Sequence, residues 1–147
     1  MNISLICVGR LKDKAFKDSF NEYFSRLKRY TSVEHIEVKD EHQGKGRELS
    51  AKKEAVRKEA DSISKKLKQG DFIVVLSEEG TGYTSNNFAS FIEGIASRGV
   101  NRAVFIVGGP HGVGPALTTR ADKVLSLSLM TMPHELARVV LVEQMYR

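Results

Sequence analysis

Two short segments in the second half of the chain carry residue types that favour ligand binding through the backbone. Residues 108–115 read GGPHGVGP and residues 127–134 read LSLMTMPH. Glycines allow positive φ and let the backbone approach a ligand closely. The apolar side chains and hydroxyls of the second segment suit an adenine ring and a methionyl chain, which need packing and edge hydrogen bonds rather than charge neutralisation. A tight strand-to-helix turn and a buried strand end would produce the same two patterns.

The glycine segment does not match the familiar phosphate-binding motifs. It is not followed by Gly-Lys-Ser/Thr, so it has no Walker lysine, and Leu117 stands where the third glycine of a dinucleotide-binding motif would fall. That motif also opens the first βα unit of its fold, whereas this segment comes late in the chain. A flavin or nicotinamide oxidoreductase is therefore disfavoured, although the residues alone leave it open.

A histidine and an arginine follow the second segment at helical spacing. Pro133 suits the first position of a helix, and His134 and Arg138 then lie at i and i+4 on one face of it. We expect that face to begin beside a pocket formed by the two segments. Solvent contact or capping by His134 and a surface ion pair of Arg138 with Glu135 or Glu143 are the alternatives.

Five short apolar runs rich in β-branched residues predict the strands that position these segments. The runs cover residues 3–8, 33–38, 72–76, 103–107 and 124–127. Amphipathic periodicity predicts helices over residues 16–27 and 51–68, and a third helix after possible caps at Thr84 and Ser85. This alternation indicates an α/β fold with a mostly parallel sheet flanked by helices, and the pattern alone favours a flavodoxin-like strand order.

Ligands bind open α/β sheets beyond the carboxyl ends of the strands. The loops after Leu76, Val107 and Leu127 are therefore the expected site. A further stretch, residues 39–50, includes Gly44, Lys45, Gly46 and Arg47 and has no apolar periodicity. It predicts a loop that either touches RNA or is a solvated connection.

Composition indicates one globular domain spanning residues 1–147, with no linker or repeat. A formal net charge of +5 and a pI of about 9.4 favour a polyanionic partner such as RNA. Cys7 lies in the first apolar run, where a small buried hydrophobe is expected rather than a reactive thiol. No apolar run is long enough for a signal peptide or a membrane span, which predicts a cytoplasmic protein.

Three segments in the last third of the chain are specific in combination. They read FIVGGPHG at residues 105–112, LSLSLMTMPH at 125–134 and RVVLVEQMYR at 138–147, and the chain opens with LICVGRLK at 5–12. With these motifs the chain resembles the RlmH family of the SPOUT superfamily over residues 1–147.

The resemblance implies a SPOUT-type α/β knot, in which a C-terminal trefoil knot within about residues 72–147 holds the cofactor S-adenosyl-L-methionine. It implies methylation of ring nitrogen 3 of a pseudouridine in 23S ribosomal RNA within the ribosome, without a metal ion. It also implies a homodimer in which each protomer helps to complete the RNA site of the other.

The chemistry of methyl transfer gives hypothetical roles to Arg138 and His134, and the resemblance marks the cofactor positions. Arg138 would hold the base or its phosphate and stabilise negative charge on the uracil ring, and His134, with an ordinary pKa of about 6.5, would take or relay the proton. The implied cofactor-binding residues are Leu76, Gly108, Gly109, Leu127, Ser128, Leu129, Met130, Thr131 and Met132.

One departure from the family pattern bears on activity. Family members usually continue past the Tyr-Arg pair with a short basic segment that carries a Tyr-His dipeptide, whereas this sequence stops at Arg147. If that segment contacts substrate, we expect this form to bind the cofactor and dimerise but to methylate poorly. A SPOUT methyltransferase acting on transfer RNA and a non-catalytic ribosome-associated RNA binder are the alternative functions.

Overall fold

Strands and helices alternate along the chain, as the apolar periodicity predicted. The computed structural model describes residues 1–42 and 48–147, so most of the basic part of the predicted 39–50 loop, Gly44 to Arg47, lies outside the described residues. The elements are β1 (Asn2–Val8), α1 (Lys14–Leu27), β2 (Val33–Val38), α2 (Leu49–Ser64), β3 (Phe72–Gly82), α3 (Ser85–Ser97), β4 (Arg102–Val107), α4 (Pro115–Arg120), β5 (Lys123–Ser126) and α5 (His134–Tyr146).

The strands form one parallel sheet in the order β2-β1-β4-β3-β5. The α/β class is confirmed, but the flavodoxin-like order 2-1-3-4-5 is wrong because β4, not β3, lies beside β1. The first half of β3, Phe72–Leu76, and the whole of β4 are similar apolar runs, so their composition gives no preference for one neighbour over another. The observed order brings the carboxyl ends of β4, β3 and β5 together.

Helices cover both faces of the sheet. On one face α1, α3 and α5 pack against a core that contains Phe20, Phe105 and Leu125. On the other face α2 and α4 pack against a second core that contains Ile63 and Ile106. The two cores explain why the central strands are apolar throughout rather than alternating.

Several local predictions can be compared with the structure. Thr84 is the N-cap of α3, and its hydroxyl accepts a hydrogen bond from the Asn87 amide at 3.1 Å, as expected. Pro133 occupies the N-cap position of α5 with ψ 144°, one residue before the predicted helical position. Cys7 is fully buried, and burial raises the pKa of its thiol to about 12, which confirms that it is not a reactive thiol.

Arg138 joins the C-terminal helix to the first two strands. Its Nη1 donates to Glu37 Oε2 at 2.8 Å, and its Nη2 donates to the carbonyl oxygens of Val8 at 3.2 Å and Gly9 at 3.1 Å. His35 Nε2 lies 3.3 Å from Nη1, and burial together with the nearby guanidinium lowers the His35 pKa to about 4, so this ring is a neutral acceptor.

This position corrects the expectation that Arg138 faces the pocket beside His134. The side chain of Arg138 is 0 % exposed and its terminal nitrogens are occupied by acceptors within the chain. Residues at i and i+4 share one face of a helix, but His134 lies at the rim of that face and Arg138 in the interior, so helical spacing did not determine their exposure. The observed contacts give Arg138 an anchoring role.

We predict that Arg138→Ala destabilises the fold by about 3–5 kcal/mol, because it leaves Glu37 and two buried carbonyl groups without their partner. Urea unfolding followed by circular dichroism measures this change. Arg57→Ala is the matched control, since the ion pairs of Arg57 with Glu54 and Asp61 are exposed and their loss should change stability by less than about 1 kcal/mol. Equal effects of the two substitutions would contradict the anchoring role.

Candidate active site

A cleft of about 480 Å³ opens at the carboxyl ends of β3, β4 and β5. This is where a ligand site was expected, because ligands bind open α/β sheets beyond the carboxyl ends of the strands. The lining residues are Leu76, Ser77, Glu78, Val107, Gly108, Gly109, Pro110, Gly112, Val113, Thr118, Leu127, Ser128, Met130, Thr131, Met132, Pro133, His134 and Ala137.

One wall of the cleft comes from an excursion within β3. Leu76 and Thr81 both lie opposite Leu125 of β5, so residues 77–80 leave the strand ladder and return to it. A Cβ at Gly80 would come within 2.6 Å of the Val124 carbonyl carbon, so only glycine allows this close approach of two backbones. The sequence analysis ended this strand at Leu76 and missed the excursion; Glu-Glu-Gly directly after an apolar run was the available signal.

The glycine segment folds back on itself as a second wall. Gly109 forms a bridge with Gly112, whose amide donates to the Gly109 carbonyl at 3.0 Å, and Gly112 has φ +79°. A Cβ at Gly108 would lie 2.7 Å from the Gly112 carbonyl carbon. The segment thus turns tightly, as one alternative proposed, and it also lines the cleft.

Helix α2 supports the glycine segment from behind. Gly114 packs against Val56 and Ala60, where a Cβ would meet their side chains at 3.3 and 3.4 Å. Glu59, on the same helix, places Oε2 3.7 Å from the Cβ position of Gly109 and accepts a hydrogen bond from the Glu41 amide at 3.0 Å. This carboxyl group is the polar part of an otherwise apolar support.

The loop after β5 forms the third wall through local hydrogen bonds. The Ser126 hydroxyl donates to the Ser128 carbonyl at 2.8 Å, and the Ser128 hydroxyl accepts from the Met130 amide at 2.9 Å. These bonds set a turn that directs Leu129 outward, where it is 99 % exposed. Leu129 is not among the residues that line the cleft, and its assignment as a cofactor-binding residue stays a prediction.

The structure brings most of the predicted residues to one place. Of the predicted cofactor residues, those that line the cleft are Leu76, Gly108, Gly109, Leu127, Ser128, Met130, Thr131 and Met132. His134 lines it too, at the first turn of α5, whereas Arg138 lies behind it in the interior. Sequence analysis missed the walls contributed by Ser77 and Glu78.

The electrostatic character of the cleft is distinctive. Among the described residues that line it, no lysine or arginine occurs, and Glu78 is the carboxylate. Burial lowers the pKa of His134 below its ordinary value, with Arg138 adding to the effect against the opposing charge of Glu135. His134 is therefore a neutral group near pH 7, able to accept a proton. The lining suits a ligand without phosphate groups.

Comparisons with known proteins identify the family. The whole chain, residues 1–147, matches the family model described as predicted SPOUT methyltransferase. The chain belongs to the SPOUT methyltransferase family. The parallel sheet and the position of the cleft are consistent with that family, whose members transfer methyl groups.

Three relatives of this SPOUT methyltransferase share the name ribosomal RNA large subunit methyltransferase H. The protein of Streptococcus pyogenes serotype M5 (strain Manfredo) is 39% identical over 147 residues, which is 100% of this chain and 92% of the relative. That of Ruminiclostridium cellulolyticum is 40% identical over 147 residues, again 100% of this chain and 92% of the relative. That of Caldicellulosiruptor saccharolyticus is 39% identical over 145 residues, 99% of this chain and 92% of the relative.

Residues 1–42 and 48–147 contain neither a candidate membrane-spanning helix nor a candidate metal site. No helix there is long and apolar enough to cross a bilayer. No group of three or more His, Cys, Asp or Glu side chains in the described part of the chain is placed to hold a metal ion.

We predict that Glu59 makes the stability of the fold depend on pH. Glu59 is 5% exposed, and burial raises its pKa from 4.5 to about 7. Between these values the folded chain keeps a proton that the unfolded chain releases, so stability falls as pH rises from about 4.5 to 7, by about 2–3 kcal/mol.

Glu59→Gln should flatten this dependence, since the amide has the shape of the protonated acid and does not titrate. Urea unfolding at pH 5, 6, 7 and 8 measures it. Asp61→Asn, on the exposed side of the same helix, is the control and should keep the wild-type slope. Parallel pH profiles for Glu59→Gln and the wild type would refute the prediction.

Proposed function

We propose that this protein transfers the methyl group of S-adenosyl-L-methionine to large-subunit ribosomal RNA. The observation that carries the proposal is the cleft at the carboxyl ends of β3, β4 and β5, which is apolar and backbone-lined and contains no lysine or arginine among its described residues. S-adenosyl-L-methionine fits this lining because it has a nucleoside and an amino-acid chain but no phosphate. The names of the relatives support the RNA substrate.

The residues present fit this cofactor in specific ways. The backbone of Gly108, Gly109 and the loop from Leu127 to Met132 would supply hydrogen bonds to the adenine edge and the ribose, and Leu76 and Leu127 would pack against the ring. When bound, the cofactor supplies an electrophilic methyl group on a sulfonium. The task left to the protein is to orient the acceptor and to remove its proton.

We further propose the finer assignments that follow from the family resemblance. The acceptor is ring nitrogen 3 of a pseudouridine in 23S ribosomal RNA, within the ribosome and hence in the cytoplasm. The chain acts as a homodimer, and its C-terminal region forms the trefoil knot. The +5 net charge supports binding to a polyanion.

His134 is the proposed proton acceptor. Its ring lies at the cleft and is neutral near pH 7, because burial lowers its pKa. A neutral imidazole can take the imino proton of the base as the methyl group is transferred. Arg138, in contrast, acts on the site through structure: it fixes the helix on which His134 stands, one turn away.

The central test combines calorimetry with S-adenosyl-L-methionine and methyl transfer from labelled cofactor to 50S subunits, 70S ribosomes and transfer RNA. We expect binding and transfer to a ribosomal substrate. Gly108→Ala should abolish binding, because its Cβ would overlap the Gly112 backbone, while Gly94→Ala, which meets no atom within 4 Å, should bind normally. Absence of cofactor binding would indicate a non-catalytic RNA binder, and labelling of transfer RNA alone would reassign the substrate.

We predict that His134→Asn lowers the transfer rate about 100-fold while the cofactor dissociation constant changes less than about 3-fold. Single-turnover transfer to the labelled substrate and calorimetry on the same samples separate the two quantities. A matching loss in both would show that His134 contacts the cofactor instead of handling the proton.

A further inference from the structure

The cleft carries an unbalanced charge that the cofactor loops do not explain. Glu78 lines it, and no described lining residue is a lysine or arginine. The adjacent Glu79 is also exposed but does not line the cleft. Of these two neighbouring carboxylates, Glu78 therefore lines the cleft and Glu79 does not.

The backbone fixes Glu78 in this position. The excursion that carries it is held at both ends, since Leu76 and Thr81 pair with the same residue, Leu125. Gly80 presses against the backbone at Val124, where any side chain would clash at 2.6 Å. Inside the turn, the Ser77 hydroxyl accepts from the Glu79 amide at 3.3 Å. Local geometry therefore holds Glu78 in the lining of the cleft, and among residues 1–42 and 48–147 it forms no ion pair.

We propose that Glu78 is a specificity-determining residue that makes the cleft prefer the charged methyl donor to its demethylated product. The inference rests on the proposed function. At neutral pH the donor has a carboxylate, an ammonium and a sulfonium, for a net charge of +1, while S-adenosyl-L-homocysteine has a thioether and a net charge of zero. Methyl transfer removes the positive charge that the carboxylate attracts. Product release is then favoured at each turnover.

The expected size of the effect is modest because Glu78 is exposed to solvent. An exposed charge pair contributes about 0.2–1 kcal/mol, which corresponds to a change of up to about 5-fold in an affinity ratio. Salt should weaken the effect, because the Debye length falls from about 10 Å at 0.1 M to about 3 Å at 1 M.

The test measures dissociation constants for S-adenosyl-L-methionine and S-adenosyl-L-homocysteine by calorimetry, at 0.1 M and 1 M salt. For Glu78→Gln we expect the preference for the donor over the product to fall by about 2–5-fold at low salt, and the difference from wild type to shrink at high salt. Sinefungin, a cationic analogue without a transferable methyl group, should lose affinity as the donor does. Glu79→Gln should keep the wild-type ratio, and Glu78→Asp should largely restore it.

Each result separates the inference from the proposed function. Wild-type protein that binds neither ligand would overturn both. Wild-type binding with an unchanged ratio in Glu78→Gln would overturn the inference alone. Equal losses in Glu78→Gln and Glu79→Gln would also overturn it, because they would show a general surface field rather than a contact within the cleft.

Discussion

The anchoring of α5 by Arg138 is the interaction on which the rest of the site depends. One buried guanidinium joins the C-terminal helix to the carbonyl groups at the end of β1 and to Glu37 on β2. The same helix begins at His134, on the wall of the cleft. Because Arg138 and His134 are one turn apart, the depth at which the arginine is held sets where the histidine stands. The buried guanidinium of Arg138 thus positions the neutral imidazole of His134 at the cleft.

Close backbone contacts build the cleft around that fixed helix. At Gly80 and Gly108 the main chain runs against other main chain, at separations that leave no room for a Cβ. Such contacts build the walls from closely packed backbone, and no lysine or arginine occurs among the described residues that line the cleft. Helix α2 then supports the glycine segment from behind through Val56, Glu59 and Ala60.

Much of this arrangement could be predicted from the sequence, and the exceptions have physical reasons. Apolar periodicity located the five strands and helices α1, α2 and α3 because burial dictates it, while the short α4 was not predicted; glycine content marked the segment at 108–115. The predicted strand order was wrong because the apolar run that opens β3 and the apolar run of β4 are alike in sequence, and neither specifies a neighbour. The side chains of Leu129 and Arg138 lie outside the cleft for opposite reasons. The turn formed by Ser126 and Ser128 leaves the leucine exposed to solvent, whereas the arginine is buried because it donates hydrogen bonds to carbonyl groups in the interior. Neither effect is visible in residue spacing, because both arise from contacts that form only in the folded chain.

Glu37, the ion-pair partner of Arg138, lies on β2 at the edge of the sheet. Within the described part of the chain, β2 is an outer strand that pairs with β1 alone. An outer strand with free peptide groups is a template for pairing with another chain, and charged side chains oppose such pairing. On β2, Glu34 forms an ion pair with Arg102 and Glu37 forms one with Arg138. Glu34 and Glu37 therefore do two things: they place charge on the edge strand, which opposes self-association, and they join that strand to arginines of β4 and α5. Replacing either acid removes both a protecting charge and an ion pair.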